Sequence, residues 1–307
     1  MSSFSIERVG GDRVSVRTLA WYDRTMVPAE HVSQAVQQAL EPFTEVRFAV
    51  VFGSAATGRL RGDSDVDVAV YWDSGGLLEV EGEREIEAET EIQIALERAT
   101  NRNVDLLVLN RAPATVCAAA LLTGSAVVIR DGALYRRYYL AVTDVASRFL
   151  DTEREFREIK GRSGSLSDYD RSRLERLLEF IDEEMQDRSG FSAMSLGRYR
   201  ADRDARRSMD RWVETLTTAA IDIAKVVLAS EHRSVPQTYG QILADLEALP
   251  GFSRLSGRLK PLAALRNLMA HEYLDLRFGR VMGFVSTGSA AVAELSATTR
   301  RWLSGPP

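Results

Sequence analysis

The sequence predicts an α+β protein of two domains. Over residues 1–150, short runs of β-branched and apolar residues alternate with helix-forming stretches, whereas residues 151–307 show apolar residues at helical spacing and no convincing strand. The first pattern is typical of a sheet covered by helices and the second of a helical bundle. A chain of 307 residues is long enough for both. We therefore expect an α/β domain with a mixed sheet at 1–150 and an all-α bundle of four or five helices at 151–307.

Four strands and one charged helix are predicted in the first region. The strand ranges are Val46–Phe52, Val66–Trp72, Asn103–Leu109 and Ala126–Ile129, and turn-forming residues follow the first two. The helix is predicted over Glu83–Ala99, where apolar residues are sparse.

The second region is predicted to be helical throughout. Apolar residues near a 3.6-residue period predict helices over Ser172–Asp187, Arg211–Leu228, Leu259–Ala270 and Val281–Trp302. Another helix is expected to start at Pro236 and to stop at Pro250-Gly251. The two regions are expected to join in a long helix from about Ala133 to Ile159, or in the loop-like Gly161–Ser167 that follows it.

Composition excludes several classes of protein. The only cysteine, Cys117, rules out an intramolecular disulfide and nearly excludes a cysteine-based zinc site. The first thirty residues lack the apolar stretch of a secretory signal, and no run of eighteen apolar residues occurs. With 39 basic and 44 acidic residues, bulk charge does not indicate nucleic-acid binding. We expect a cytoplasmic protein with no membrane span.

Three aspartates are the first candidates for chemistry. Asp65 and Asp67 lie two apart at the head of a strand, so their side chains share one face, and Asp105 is the only charge inside a later apolar strand. A carboxylate in an apolar strand is costly unless it is paired or binds a metal. Because three converging carboxylates repel one another, a divalent cation such as Mg²⁺ would resolve the repulsion, with substrate phosphates completing its ligand shell.

A Gly-Ser pair precedes the aspartates at a defined spacing. Gly53-Ser54 ends the first strand, and ten residues separate Ser54 from Asp65. Glycine lets the backbone approach a phosphate, and the serine hydroxyl and the following amides can donate to phosphate oxygens. Phosphate donors and carboxylates that hold Mg²⁺ are the parts that metal-assisted nucleotidyl transfer needs.

This Gly-Ser-x10-Asp-x-Asp spacing, with a third aspartate on a later strand, resembles the DNA polymerase β-like nucleotidyltransferases and, in its compact size, their minimal members. The resemblance covers about residues 45–130. It implies that Gly53 and Ser54 bind ATP and that Asp65, Asp67 and Asp105 bind Mg²⁺ and act in catalysis. The chain departs from the family at Thr57, where an arginine is frequent; Arg59 or Arg61 are candidates to supply the missing charge.

A second group of candidates lies late in the helical region. Arg266-Asn267 precede His271 and Tyr273 within LRNLMAHEYLDL. Metal-independent RNA cleavage needs a histidine that moves protons and an arginine that offsets phosphate charge. Taken alone, such a histidine is more often a helix cap or a surface group.

In context, Arg266-x4-His271-x-Tyr273 resembles the HEPN ribonucleases, and most closely the HEPN toxins whose antitoxin partner is a minimal nucleotidyltransferase. Ile221–Ala224 and Pro236-x2-Tyr239 agree with that resemblance, which covers about residues 168–285. It implies a natural antitoxin–toxin fusion in which AMP from ATP is transferred to Tyr273, silencing an RNA-cleaving site at Arg266 and His271. It also implies a homodimer formed through the helical region. Asp105 is the candidate base for the tyrosine hydroxyl.

Two other functions fit parts of the sequence. A small-molecule nucleotidyltransferase of the aminoglycoside-modifying kind also places a helical domain second, but it leaves the Arg-x4-His-x-Tyr motif without a role. A non-catalytic nucleotide-binding scaffold is the other alternative. The arginines between Arg198 and Arg211 could follow an RNA backbone, although a solvated helix face is the preferred interpretation.

Overall fold

The computed structural model describes residues 30–56, 65–73, 75, 78–269 and 274–305. Its first part is a four-stranded sheet with strands β1 (Val46–Phe52), β2 (Val66–Trp72), β3 (Val104–Val108) and β4 (Ser125–Ile129). β1 and β2 match their predicted ranges, and the bounds of β3 and β4 differ from prediction by one residue. Helices α1 (Glu30–Leu40), α2 (Gly53–Ala56), α3 (Glu89–Thr100) and α4 (Ala114–Thr123) accompany the strands.

The sheet is mixed, as predicted, with the strand order β3-β2-β1-β4. β1 is antiparallel to β2 and to β4, whereas β2 and β3 run parallel. The register places Phe52 opposite Asp67 on β2, and Asp67 beside Asp105 on β3. One end of the sheet therefore gathers the end of β1 with the beginnings of β2 and β3.

The two faces of the sheet belong to different cores. Alternation along β2 sends Val66, Val68 and Val70 into a core with α1 and α3, while Ala69 and Tyr71 face α4 and the long helix after β4. The second core continues without interruption into the helical region. The sheet and the helices are therefore packed on a shared apolar interior.

The helical region begins with α5 (Gly132–Arg162), which confirms the long joining helix. It continues with α6 (Asp168–Glu184), α7 (Arg188–Ser192), α8 (Leu196–Ala201), α9 (Arg203–Ser230), α10 (Tyr239–Glu247), α11 (Lys260–Met269), α12 (Leu274–Gly283) and α13 (Ser289–Leu303). Short 3₁₀ turns occur at Met185–Asp187 and Pro250–Leu255, and a π-helical turn at Phe284–Gly288 joins α12 to α13. Among the helices within these ranges, none combines the length and apolar character that a membrane crossing requires.

Polar caps set several helix starts. The Asp131 carboxylate accepts hydrogen bonds from the backbone of Ala133 and Leu134, and the Asp202 side chain accepts from Ala205. α10 begins at Tyr239 rather than at Pro236, because the Thr238 hydroxyl caps it by accepting from Gln241 N. The prediction of a start at Pro236 was therefore three residues early.

The helix predicted over Glu83–Ala99 is shorter than expected and begins only at Glu89. Residues 78–88, which we call the docking segment, are not helical. Glu81 has a φ of 56°, and the Gly82 amide donates to the Asn110 carbonyl at 2.7 Å. Glu83, the first acidic residue of the predicted helix, instead forms an ion pair with Lys260.

Candidate functional site

The three predicted aspartates lie at one end of the sheet, which we call the carboxylate edge. Asp67 and Asp105 are register neighbours on parallel strands, and Asp65 directly precedes β2, where its Oδ1 accepts from Asn103 Nδ2 at 3.2 Å. Burial, together with the negative charges of Asp105 and Asp65, raises the pKa of Asp67. Asp65 and Asp105 are thus each close enough to Asp67 to disfavour its negative charge.

Asp105 does not behave as the sequence suggested. β3 is an edge strand, and the Asp105 side chain is exposed. Desolvation therefore does not force it to find a partner. Within the described residues, no group of three His, Cys, Asp or Glu side chains is arranged to hold a metal ion. The assignment of Asp65, Asp67 and Asp105 to Mg²⁺ stays a prediction, favoured by their chemistry and by the raised pKa of Asp67.

Gly53 is fitted closely to the carboxylate edge. Its φ is +66°, and a Cβ atom built there would lie 2.1 Å from Asp67 Oδ2. Only glycine accepts both the backbone angle and the contact. Ser54 follows at the start of α2 and is half-buried. The predicted phosphate-binding pair and the predicted catalytic carboxylates are therefore neighbours, whereas Thr57, Arg59 and Arg61 lie outside the described residues.

The second group of candidates is described in part. Arg266 and Asn267 occupy the last turns of α11, whereas His271 and Tyr273 lie outside the described residues. The Arg266 guanidinium carbon lies 4.3 Å from the centroid of the Tyr239 ring, a cation–π arrangement. Burial lowers the pKa of Arg266. Asn267 is buried, and its Oδ1 accepts from Arg266 Nη1 at 3.4 Å.

Comparison with known families assigns both regions. Residues 34–133 match the family described as "Polymerase beta, Nucleotidyltransferase", and residues 168–297 match the family described as "Ribonuclease HepT-like". The chain joins a nucleotidyltransferase domain to a HEPN-like ribonuclease domain. Among solved structures, one titled "Crystal structure of the toxin-antitoxin with AMP-PNP" is similar at 19% identity, over 40% of this chain and 92% of that chain, with a TM-score of 0.33. No curated protein matches the chain.

A cavity of about 610 Å³ in the HEPN-like domain reaches Arg266. Arg148 of α5 and Arg211 of α9 line the same cavity. Arg148 is paired with Asp144 at 3.0 Å, and Arg211 with Glu214 at 3.2 Å. The cavity therefore offers three guanidinium groups. Those of Arg148 and Arg211 are already paired with acidic neighbours.

Two further arginines of the stretch from Arg198 to Arg211 are also engaged with other groups. Arg198 lies 3.7 Å from Asp202, and Arg206 donates to the Tyr199 carbonyl at 3.1 Å. These contacts support the interpretation as a solvated, paired helix face.

The nucleotidyltransferase domain also contacts the ribonuclease motif, through residues that the sequence did not single out. Asn267 Nδ2 donates to Glu81 Oε2 at 3.2 Å, and Lys260 lies 2.6 Å from Glu83. Both acidic residues belong to the docking segment; Glu83 begins the predicted charged helix, whereas Glu81 precedes it and carried no prediction. The sequence carried no local signal for these contacts, because Gly82 precedes the predicted helix and indicates only a turn.

Proposed function

We propose that this chain is a fused toxin–antitoxin protein. Its nucleotidyltransferase domain transfers AMP from ATP to Tyr273, and the modification silences the RNA-cleaving activity of the HEPN-like domain. The observation that carries the proposal is the presence of both domains in one chain, with a direct contact between the first domain and Asn267 of the ribonuclease motif.

The transfer requires the groups at the carboxylate edge. Gly53 and Ser54 bind the phosphates of ATP, and Asp65, Asp67 and Asp105 hold Mg²⁺, which when bound neutralises phosphate charge. A bond forms between the Tyr273 oxygen and the α-phosphorus, the bond from that phosphorus to the β-phosphate oxygen breaks, and pyrophosphate leaves. Asp105 accepts the hydroxyl proton. Its exposed carboxylate at the sheet edge is accessible to an incoming tyrosine.

The silenced reaction belongs to the ribonuclease motif. Arg266 offsets the charge on the scissile phosphate, and His271 transfers protons to and from the ribose hydroxyl and the leaving oxygen. An AMP group on Tyr273 adds bulk and negative charge two residues from His271, so RNA is excluded by sterics and by repulsion. The HEPN-like domain forms a homodimer that pairs two such motifs. ATP and RNA are both cytoplasmic substrates, which fits a cytoplasmic protein.

Mass spectrometry of the intact chain and its peptides tests the transfer. After incubation with ATP and Mg²⁺, the wild-type chain should gain AMP on Tyr273, and the Asp67→Asn chain should not. RNA cleavage should then be low in the modified wild-type chain, high in Asp67→Asn, and absent in Asp67→Asn combined with His271→Ala. An unmodified Tyr273 in the wild-type chain, or cleavage that survives His271→Ala, would contradict the proposal.

A further inference from the structure

Glu81 is held in an unusual conformation between the two domains. Its φ of 56° is uncommon for a residue with a side chain and costs about 1 kcal/mol. The conformation directs both carboxylate oxygens to partners: Oε1 accepts from the Ala114 backbone amide at 3.0 Å, and Oε2 accepts from Asn267 Nδ2 at 3.2 Å. One side chain thus joins the beginning of α4 to the ribonuclease motif.

The contact fixes the orientation of the Asn267 amide. An ionised carboxylate only accepts hydrogen bonds, so the NH₂ group of Asn267 must face Glu81. Its carbonyl oxygen then faces the other way, where Arg266 Nη1 donates to it at 3.4 Å. Because Asn267 is buried, it has little freedom to exchange these partners for water.

The orientation matters because Arg266 depends on two neighbours for its position. The Tyr239 ring lies on one side of the guanidinium, and the Asn267 oxygen receives one of its N–H groups. If the amide turned over, its NH₂ group would point at the guanidinium and the two donors would oppose each other. The guanidinium would then shift within the cavity that it lines.

We propose that Glu81 is a positioning residue of the ribonuclease site, through which the nucleotidyltransferase domain orients Asn267 and thereby Arg266. The inference rests on the proposed ribonuclease function and adds a residue from the other domain to that site. Glu81 acts through Asn267 and does not itself touch RNA.

Glu81→Gln tests this role because it keeps the size of the side chain and can still accept from Ala114. Its amide can also donate, so Asn267 is no longer held in one orientation. Measured in the Asp67→Asn background, where Tyr273 stays unmodified, kcat for RNA cleavage should fall about tenfold with little change in KM. The matched control is Glu83→Gln, which removes a neighbouring, exposed contact between the docking segment and α11 and should change kcat less than twofold.

A double-mutant cycle separates positioning from general stability. Asn267→Ala should lower kcat by a similar factor, and Glu81→Gln should add nothing in that background. The proposal would be overturned if kcat of the double variant fell by the product of the two single-variant factors. An unchanged kcat in Glu81→Gln would also overturn it.

Hydrogen exchange of the backbone amides tests the positioning role of Glu81 without a measurement of RNA cleavage. Amides in residues 260–269 should exchange faster in Glu81→Gln than in Glu83→Gln, because the first variant weakens a partly buried hydrogen bond to α11 and the second loses only an exposed ion pair. If the Asp67→Asn chain cleaves no RNA, the proposed function fails, and exchange alone decides whether Glu81 holds α11. Equal exchange in the two variants would overturn the positioning role.

Discussion

The two ends of the sheet in the nucleotidyltransferase domain differ in how their polar and charged groups are balanced. At the carboxylate edge, burial and the charges of Asp105 and Asp65 raise the pKa of Asp67. At the other end, which we call the docking edge, buried Asn110 accepts from Trp72 N at 2.8 Å and donates to Glu79 Oε2 at 2.9 Å. The first end gathers negative charges whose repulsion a cation can relieve, whereas the second satisfies its polar groups internally.

The two ends of the sheet also differ in role: one carries the predicted catalytic aspartates, and the other contacts α11. Within β2, the stretch from Asp67 to Trp72 rises about 3.3 Å per residue, which places the two edges roughly 16 Å apart. The contacts of Glu81 and Glu83 with α11 occur beyond the docking edge, next to Asn110. The HEPN-like domain is therefore held by the end of the sheet that carries none of the three predicted catalytic aspartates.

Removing the charge of Asp67 should have the largest effect. We expect Asp67→Asn to reduce AMP transfer by about 1,000-fold, because a ligand that balances several kcal/mol of phosphate charge is lost. The same change should stabilise the fold slightly, by less than about 1 kcal/mol after solvent screening. Since the pKa of Asp67 is raised in the folded chain, its ionised form costs stability at neutral pH. That cost should vanish as the pH falls below 3.8, the ordinary pKa of this group.

Quantitative mass spectrometry and thermal unfolding at pH 7 and pH 3.5 check both parts. Asp65→Asn is the comparison, since Asp65 is exposed and should give less stabilisation. Full transfer activity in Asp67→Asn would contradict the role of the carboxylate edge.

Because the two edges are far apart, we predict that a second copy of the chain restores the AMP transfer that Asp67→Asn loses. Asn267 is held at the docking edge, and Tyr273 follows it by six residues. Six residues cover the roughly 16 Å between the two edges only when the chain is nearly extended, so we expect Asp67 of one chain to act on Tyr273 of another. Differently tagged Asp67→Asn and Tyr273→Phe chains, co-expressed and purified through both tags, should carry AMP on the Asp67→Asn chain. AMP that appears only when both groups are intact in one chain would show transfer within the chain instead.

Gly53→Ala should have the next largest effect, because the new methyl group would collide with Asp67 Oδ2. We expect about a 100-fold loss of AMP transfer as the carboxylate is displaced. Gly75→Ala is the matched control: its φ is +69°, and among the described residues nothing lies within 4 Å of the added atom. Both variants carry the backbone cost of about 1 kcal/mol, so only the collision distinguishes them. Equal transfer rates in the two variants would show that the contact with Asp67 is unimportant.

The carboxylate edge was far more predictable from sequence than the docking edge. The Gly53-Ser54 pair and Asp65-x-Asp67 lie close together in sequence, and strand periodicity alone puts the two aspartates on one face. Glu81 meets Asn267 across 186 residues of chain. No local pattern encodes that contact, and the acidic run around it imitates a solvated helix. Exposure of Asp105 was missed for a similar reason, since an apolar strand does not reveal whether it lies at the edge of a sheet.

Asn110→Ala should destabilise the fold without disabling the chemistry. It leaves the half-buried main-chain N–H and C=O of Trp72 without their partners, which should cost about 2–4 kcal/mol. Asn103→Ala, at the opposite end of β3, removes an exposed side chain and should cost less than about 0.5 kcal/mol. Denaturant unfolding measures both, and AMP transfer below the unfolding transition should be retained in Asn110→Ala. A larger loss of stability in Asn103→Ala would reverse the contrast between the two edges.

The smallest effect is expected for the charge pair on the surface of the docking edge. Lys260 lies 2.6 Å from Glu83, but the two side chains are 51% and 71% exposed. Ordering two long exposed side chains offsets most of their attraction, so Glu83→Gln should cost less than about 0.5 kcal/mol, and the cost should disappear in 1 M salt. Thermal unfolding at low and high salt measures this, with Asn110→Ala alongside. A loss of stability above 1 kcal/mol that persists in salt would mean that this ion pair holds the two domains together, in place of the buried network around Asn110 and Glu81.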